Sequence, residues 1–128
     1  MPGILFLCVH NAGRSQMAAG FARHAGAGRV EVFSGGSEPA DTVNPAAVAV
    51  MAEVGVDIAA HVPQRFTDDL LSRVDVVVTM GCGDTCPYVP GKRYLDWTLD
   101  DPKGRPVEEV RRIRDEIRSL VDDLVAQL

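Results

Sequence analysis

The chain has 128 residues and a mass of 13.8 kDa, 46% of them hydrophobic and 24% charged, so a single domain over residues 1–128 is expected to bury its core without a disulfide or metal staple. Thirteen Lys and Arg against eighteen Asp and Glu give a net charge of −5, which argues against broad nucleic-acid binding. No apolar run nears the roughly 20 residues of a membrane span, and Met1-Pro2-Gly3 offers no cationic stretch before an apolar run, so no signal peptide and a cytoplasmic location are expected.

The elements read in chain order as an alternation. Residues 4–7 form a short, wholly apolar run, as expected of a strand buried on both faces. A helix is expected over 15–24, with Met17, Ala18, Phe21 and Ala22 on one face and Gly26 and Gly28 ending it. Residues 30–33 read as a second strand, closed by Ser34-Gly35-Gly36. Asn44-Pro45 supplies an N-cap and a first-turn proline for a helix that carries Val48, Met51 and Ala52 inward and ends at Gly55. Val76-Val77-Val78 marks a strand within 74–79, and 92–97 offers a fourth. From Pro106 onward, Val107, Val110, Ile113, Ile117, Leu120, Val121, Leu124 and Leu128 recur at helical spacing. Strands alternating with helices imply crossovers and a parallel sheet. The fold class expected is α/β.

The strongest local feature is Cys8 followed six residues later by Arg14, between a strand and a helix. A loop closing onto a helix N-terminus turns N–H groups inward and forms a nest for a tetrahedral oxyanion. The residues of that nest are Cys8, Val9, His10, Asn11, Ala12, Gly13, Arg14 and Ser15. Arg14 adds a planar fork for two anion oxygens, and the same positive field favours the thiolate of Cys8. Gly13 is expected to allow the tight turn, Asn11 to tie the loop with its side chain, and Ser15 to donate to the sulfur. A merely buried cysteine would need none of these neighbours.

Two further segments carry reactive groups. Cys82-Gly83-Asp84-Thr85-Cys86-Pro87 holds two thiols that a bent loop could bring within disulfide distance. The scattered His10, His24 and His61 supply no second ligand pair at usable spacing, so no zinc site is expected. In Asp100-Asp101-Pro102, the proline favours an extended loop that can carry a carboxyl group toward a site.

Cys8 to Ser15 with Asp101-Pro102 resembles the low-molecular-weight protein tyrosine phosphatase fold. The run from Asn11 to Ala18 resembles its arsenate reductase branch, with Gln16 where the phosphatases carry Pro and Gly13 where they carry a second cysteine. The likeness continues through Ser34-Gly35-Gly36, Val43-Asn44-Pro45, Trp97 to Pro102 and the last helix. It implies a four-stranded parallel sheet flanked by helices, with the anion loop after the first strand. It also implies Cys8 as nucleophile, Asp101 as proton donor, and Cys82 and Cys86 as a redox relay with Cys8, although the spacing of these two is shorter than in the better-known thioredoxin-coupled members. Many members of that branch bind a potassium ion near the anion loop. The matching positions include Asn11 and Ser34, but Ala19 and Gln64 stand where carboxylates would be expected, so no tight potassium site is expected.

The function expected is reduction of arsenate to arsenite, with phosphate as a competing oxyanion, thioredoxin as electron donor and no cofactor or metal. One alternative uses Cys8 alone, with mycothiol and a glutaredoxin-like protein completing the cycle. Another is a phosphatase, which has no need of resolving thiols.

Overall fold

The computed structural model describes residues 1–81 and 90–128. Its order is β1 (Gly3–Cys8), α1 (Arg14–Ala25), β2 (Glu31–Gly36), α2 (Pro45–Ala52), α3 (Asp68–Arg73), β3 (Val76–Thr79), β4 (Arg93–Asp96) and α4 (Val107–Ala126). The four strands form a parallel sheet in the order β2-β1-β3-β4. This is the α/β architecture expected from the alternation.

β1 is buried along its whole length because it is central and covered on both faces. Its alternate residues divide between two cores. Ile4, Phe6 and Cys8 enter the larger one with Met17, Ala18, Val50, Met51, Ile113 and Ile117. Leu5 and Leu7 meet Leu71, Val74 and Val77 in the smaller one. Because the chain leaves β1 toward β2 and later returns to β3 on the other side, a crevice opens at the C-terminal end of β1. Cys8 closes that strand.

Several details differ from the sequence reading. β2 runs on through Ser34-Gly35-Gly36 instead of closing before them, and Cys8 pairs in register with Gly36. The capping of α2 is as expected, with Asn44 Oδ1 accepting from Ala46 N–H at 2.9 Å. Met51 faces inward as expected, together with Ala47 and Val50, and Val48 packs half-buried against the core, whereas Ala52 faces solvent. The short helix α3 carries little periodicity and buries only Leu71, but Thr67 caps it by accepting from Leu70 N–H at 3.1 Å.

The charged side of α4 also makes tertiary contacts. Arg114, 9% exposed, donates to the Val50 carbonyl at 2.9 Å and to Glu53 Oε1 at 2.8 Å, and Arg111 grips the same carboxylate. These bonds tie α4 to the end of α2, and Arg111 chiefly holds the Glu53 carboxyl below its usual range.

Gly36 fixes the floor of the crevice. A Cβ there would lie 2.5 Å from the Val9 carbonyl oxygen, 2.9 Å from that of Cys8 and 3.0 Å from the Asn11 nitrogen. All three are backbone atoms that cannot swing aside. Gly36→Ala is therefore expected to cost about 2–4 kcal/mol, the upper part of the range for single substitutions, read from urea denaturation. It should also weaken oxyanion binding measured by calorimetry.

Candidate active site

The segment from Val9 to Gly13 links β1 to α1, and its carbonyls are all occupied from outside. Val9 O accepts from Glu38 N–H at 2.8 Å, His10 O from Ala40 N–H at 2.9 Å, and Ala12 O from Asn44 N–H at 2.8 Å. Asn11 O accepts from Gln16 Nε2 at 3.0 Å, and Gly13 O from Met17 N–H at 3.0 Å in the first turn of α1. In a trans peptide the N–H points opposite the C=O. The amide groups of residues 10–14 are therefore directed to the inside of the loop, where α1 also begins. Inward amides at a helix start form a concavity of the kind that suits an anion.

The strained residue of the loop is Asn11, not Gly13. Asn11 is fully buried with φ +50°, a left-handed conformation that asparagine tolerates better than most residues. Its side chain bonds at both ends: Nδ2 donates to Ser15 Oγ at 2.7 Å, and Oδ1 accepts from Gln64 N–H at 2.9 Å and Gln16 Nε2 at 3.2 Å. Gly13 serves a different purpose. A Cβ on it would come within 3.0 Å of Pro102 Cγ, so the missing side chain lets the Asp101-Pro102 loop close on the nest.

Cys8 is 3% exposed, and its Sγ lies 2.8 Å from Ser15 Oγ. Since Ser15 Oγ already accepts from Asn11, its own proton is free to point at the sulfur. Arg14, with 12% of its side chain exposed, donates through Nη1 to the Leu99 carbonyl at 3.2 Å. Its Nη2 sits 3.9 Å from Asp101 Oδ2. Gly81, at φ +85°, leaves room for the guanidinium, since a Cβ there would fall 2.7 Å from Nη1.

The two adjacent aspartates are separated by their neighbours. Asp100 is bound to Arg112 at 2.8 Å, and Arg112 also holds Glu109 and Glu116. That arginine keeps the Asp100 carboxyl below its ordinary range. Asp101 instead lines the cavity above Cys8; its Oδ1 accepts from Lys103 N–H at 3.0 Å, while Oδ2 faces Arg14. The cavity holds about 630 Å³, with Cys8 at its base and His10, Ala40, Asp41, Asp101 and Lys103 around it. His10 is anchored at the rim, its Nδ1 donating to the Glu38 carbonyl at 2.9 Å. Cys82 and Cys86 lie outside the described residues.

The residues matching a potassium site do not fit the ion. Ala19 is fully buried and has no oxygen to offer, and Gln64 Nε2 donates to the Ser34 carbonyl at 2.9 Å. Asn11 Oδ1 already holds two N–H donors. Asn11 Oδ1 and the Ser34 carbonyl, two oxygens that could face a cation, accept amide protons instead.

Sequence reasoning identified Cys8, Arg14, Ser15 and Asp101 as neighbours, and the structure brings these four together. It missed the clamp formed by residues 38–44 on the loop carbonyls. No local pattern announces that clamp, because its partners lie about thirty residues apart in the chain.

Residues 3–128 match the family model described as low molecular weight phosphotyrosine protein phosphatase. A relative from Synechocystis named glutaredoxin arsenate reductase is 37% identical over 131 residues, covering 100% of this chain and 99% of its own. Among solved structures, a thioredoxin-dependent arsenate reductase of Corynebacterium glutamicum superposes with a TM-score of 0.85 at 42% identity, covering 99% of this chain but only 60% of that one. An arsenate reductase in the phosphate-binding state superposes at 0.86 with 36% identity, covering 99% of this chain and 98% of that one. With its strand–loop–helix nest intact, the chain belongs to the low molecular weight phosphotyrosine protein phosphatase family.

Proposed function

We propose that this protein is an arsenate reductase in which Cys8 is the nucleophile. The observation that carries the reading is the thiol at the base of an inward-facing amide nest, 2.8 Å from a hydroxyl and flanked by a largely buried arginine. The phosphate-bound relative supports an oxyanion in this nest, and relatives across the full length of the chain are named arsenate reductases.

The chemistry follows from the groups present. Arsenate occupies the nest, with Arg14 binding two of its oxygens. The Cys8 thiolate forms a bond to arsenic while one oxygen departs as water, taking its proton from Asp101. Reduction then requires a second thiolate. Cys82 attacks Cys8 Sγ, the sulfur–arsenic bond breaks, and its electron pair stays on arsenic, which leaves as arsenite. Cys86 attacks Cys82 in turn, releasing Cys8 and leaving a Cys82–Cys86 disulfide for thioredoxin to reduce in the cytoplasm. The name of the Synechocystis relative, and a cavity far larger than one oxyanion, favour a second reading in which a small thiol such as mycothiol takes the place of Cys82 and a glutaredoxin-like protein completes the cycle.

Cys8→Ser is expected to abolish arsenite production with either reductant system. Arg14→Lys should lose most oxyanion affinity in calorimetry, because a point charge cannot replace the planar fork; an unchanged affinity would remove Arg14 from the site.

Asp101→Asn is expected to lower kcat by about 10²–10⁴-fold, the usual range for a positioned acid. Asp100→Asn, which only frees Arg112, should change kcat little. Equal losses would assign the segment a role in shape alone.

Cys86→Ser should accumulate a Cys8–Cys82 disulfide after one arsenate turnover, whereas Cys82→Ser should form no internal disulfide. Mass spectrometry of alkylated peptides distinguishes the two. Full multiple-turnover rates in both variants with a small thiol and a glutaredoxin-like protein would replace the relay with the second reading.

A further inference from the structure

The reductive step begins with a thiol, which must lose its proton before it can attack Cys8 Sγ. It ends with arsenite, whose newly formed anion is far more basic than arsenate and must gain a proton. Both transfers take place over the cavity that has Cys8 at its base, where the described residues able to accept a proton are His10, Asp41 and Asp101. The two oxygens of Asp101 already have positive partners, with Oδ1 accepting from Lys103 N–H at 3.0 Å and Oδ2 lying 3.9 Å from Arg14. Any carboxylate, Asp41 included, is a weak base toward a thiol, and an imidazole is the better match.

His10 stands in the loop two residues after the nucleophile. Its Nδ1 meets the Glu38 carbonyl oxygen at 2.9 Å. A carbonyl only accepts, so Nδ1 carries a proton and the neutral ring keeps its lone pair on Nε2. The anchor is firm, because Glu38 is itself tied to the loop through its N–H, which donates to the Val9 carbonyl at 2.8 Å. Among the described residues none is hydrogen-bonded to Nε2, and the ring lines the cavity.

We propose that His10 is a catalytic residue of the reductive step, its Nε2 taking the proton of the attacking thiol and returning it to the departing arsenite. The proposal rests on the reading of Cys8 as the nucleophile. The S–H bond of the attacking thiol breaks as its proton moves to Nε2. The thiolate joins Cys8 Sγ, and the sulfur–arsenic bond breaks with its electron pair left on arsenic. Two sulfurs are thereby oxidised to a disulfide, and arsenic(V) is reduced to arsenic(III). The imidazolium then gives its proton to an arsenite oxygen, so His10 ends neutral, as it began. The charged groups around the same cavity suit a shuttle: Asp41 and Asp101 favour the transient imidazolium, while Arg14 and Lys103 favour its return to the neutral ring.

The test follows a single turnover. The full chain, with its cysteines reduced, is mixed with arsenate without a reductase, and arsenite is quantified against time across the pH range in which thiols titrate. A parallel series with 2-mercaptoethanol reads the step when the attacking thiol comes from solution. His10 is exposed, so its variants should fold, and circular dichroism checks that they do. His10→Ala is expected to slow arsenite release at neutral pH by about 10²-fold, the low end for a positioned base. The loss should shrink as pH rises, because the thiol then ionises unaided, and free imidazole should restore much of the rate at neutral pH. His10→Asn keeps an amide donor for the Glu38 carbonyl but offers no base, so it should be as slow as His10→Ala. Arsenite release by His10→Asn at the rate of the unmodified protein overturns the proposal. So does a loss in His10→Ala that is the same at every pH and unmoved by imidazole, which marks a role in loop structure alone. Failure of the functional reading would appear elsewhere, as absence of arsenite from the unmodified protein with either thiol.

Discussion

A loop that gathers amide protons for an anion must find other partners for its carbonyls. Here five in succession, from Val9 to Gly13, are each satisfied on the outer side of the loop. The segment from Glu38 to Asn44 supplies three of the donors, and α1 supplies the other two. The rest of the local architecture answers to that demand. β2 continues to Gly36 so that the following segment starts beside the loop, and Gly36 lacks a side chain because the loop backbone occupies its space. Asn11 adopts its left-handed conformation where its side chain can bind both Ser15 and the passing segment around Gln64. An unpaired carbonyl at this depth would cost on the order of 1–3 kcal/mol, so the clamp is also a large part of what holds the loop in one shape.

Charge is distributed with the same economy. Two neighbouring carboxylates, Asp100 and Asp101, could both approach Arg14, and a pair of negative groups there would oppose an incoming oxyanion. Arg112 draws Asp100 outward into a cluster with Glu109 and Glu116 on α4. Asp101 alone stays over the cavity, at a distance from Arg14 too long for a tight ion pair. A guanidinium not locked to a carboxylate can turn its fork to an anion. The packing of Pro102 on Gly13 couples the position of Asp101 to the nest itself.

What could be read from the sequence was what is local. An apolar run, a loop ending in Arg-Ser and an apolar helical face lie within some twenty residues, and the structure forms β1, the nest and α1 from them. The cap of α2 was equally legible, since Asn44 and Pro45 act on their own turn. Longer-range features were not. The extension of β2 through two glycines depends on pairing with β1, which overrides the tendency of such residues to end a strand. The helix α3 is too short to show a period, and its stability comes from Thr67 and from Leu71 under the sheet. On α2 the expectation held for Met51 and in part for Val48 but failed for Ala52, because apolar residues surround the helix and tertiary packing decides which are covered. His10 and Glu38 stand 28 positions apart, and nothing in either neighbourhood names the other.

The parallel sheet has a consequence for how the chain reaches its native form. No two adjacent strands can be joined by a hairpin: Ile4 pairs with Val32 on one side and with Val76 on the other, so the central strand is completed only by segments made long after it. Sheets built from such distant pairings fold more slowly than helical bundles of similar size, because loop closure precedes the contacts that reward it. During that interval Cys8 belongs to a strand without neighbours, and its loop lacks the clamp that arrives with β2 and residues 38–44. The amide nest comes into being with the tertiary fold, so anion binding becomes a late event that selects the finished protein over its precursors. An oxyanion that fills the nest should accordingly act as a folding ligand, stabilising the native state in proportion to its free concentration.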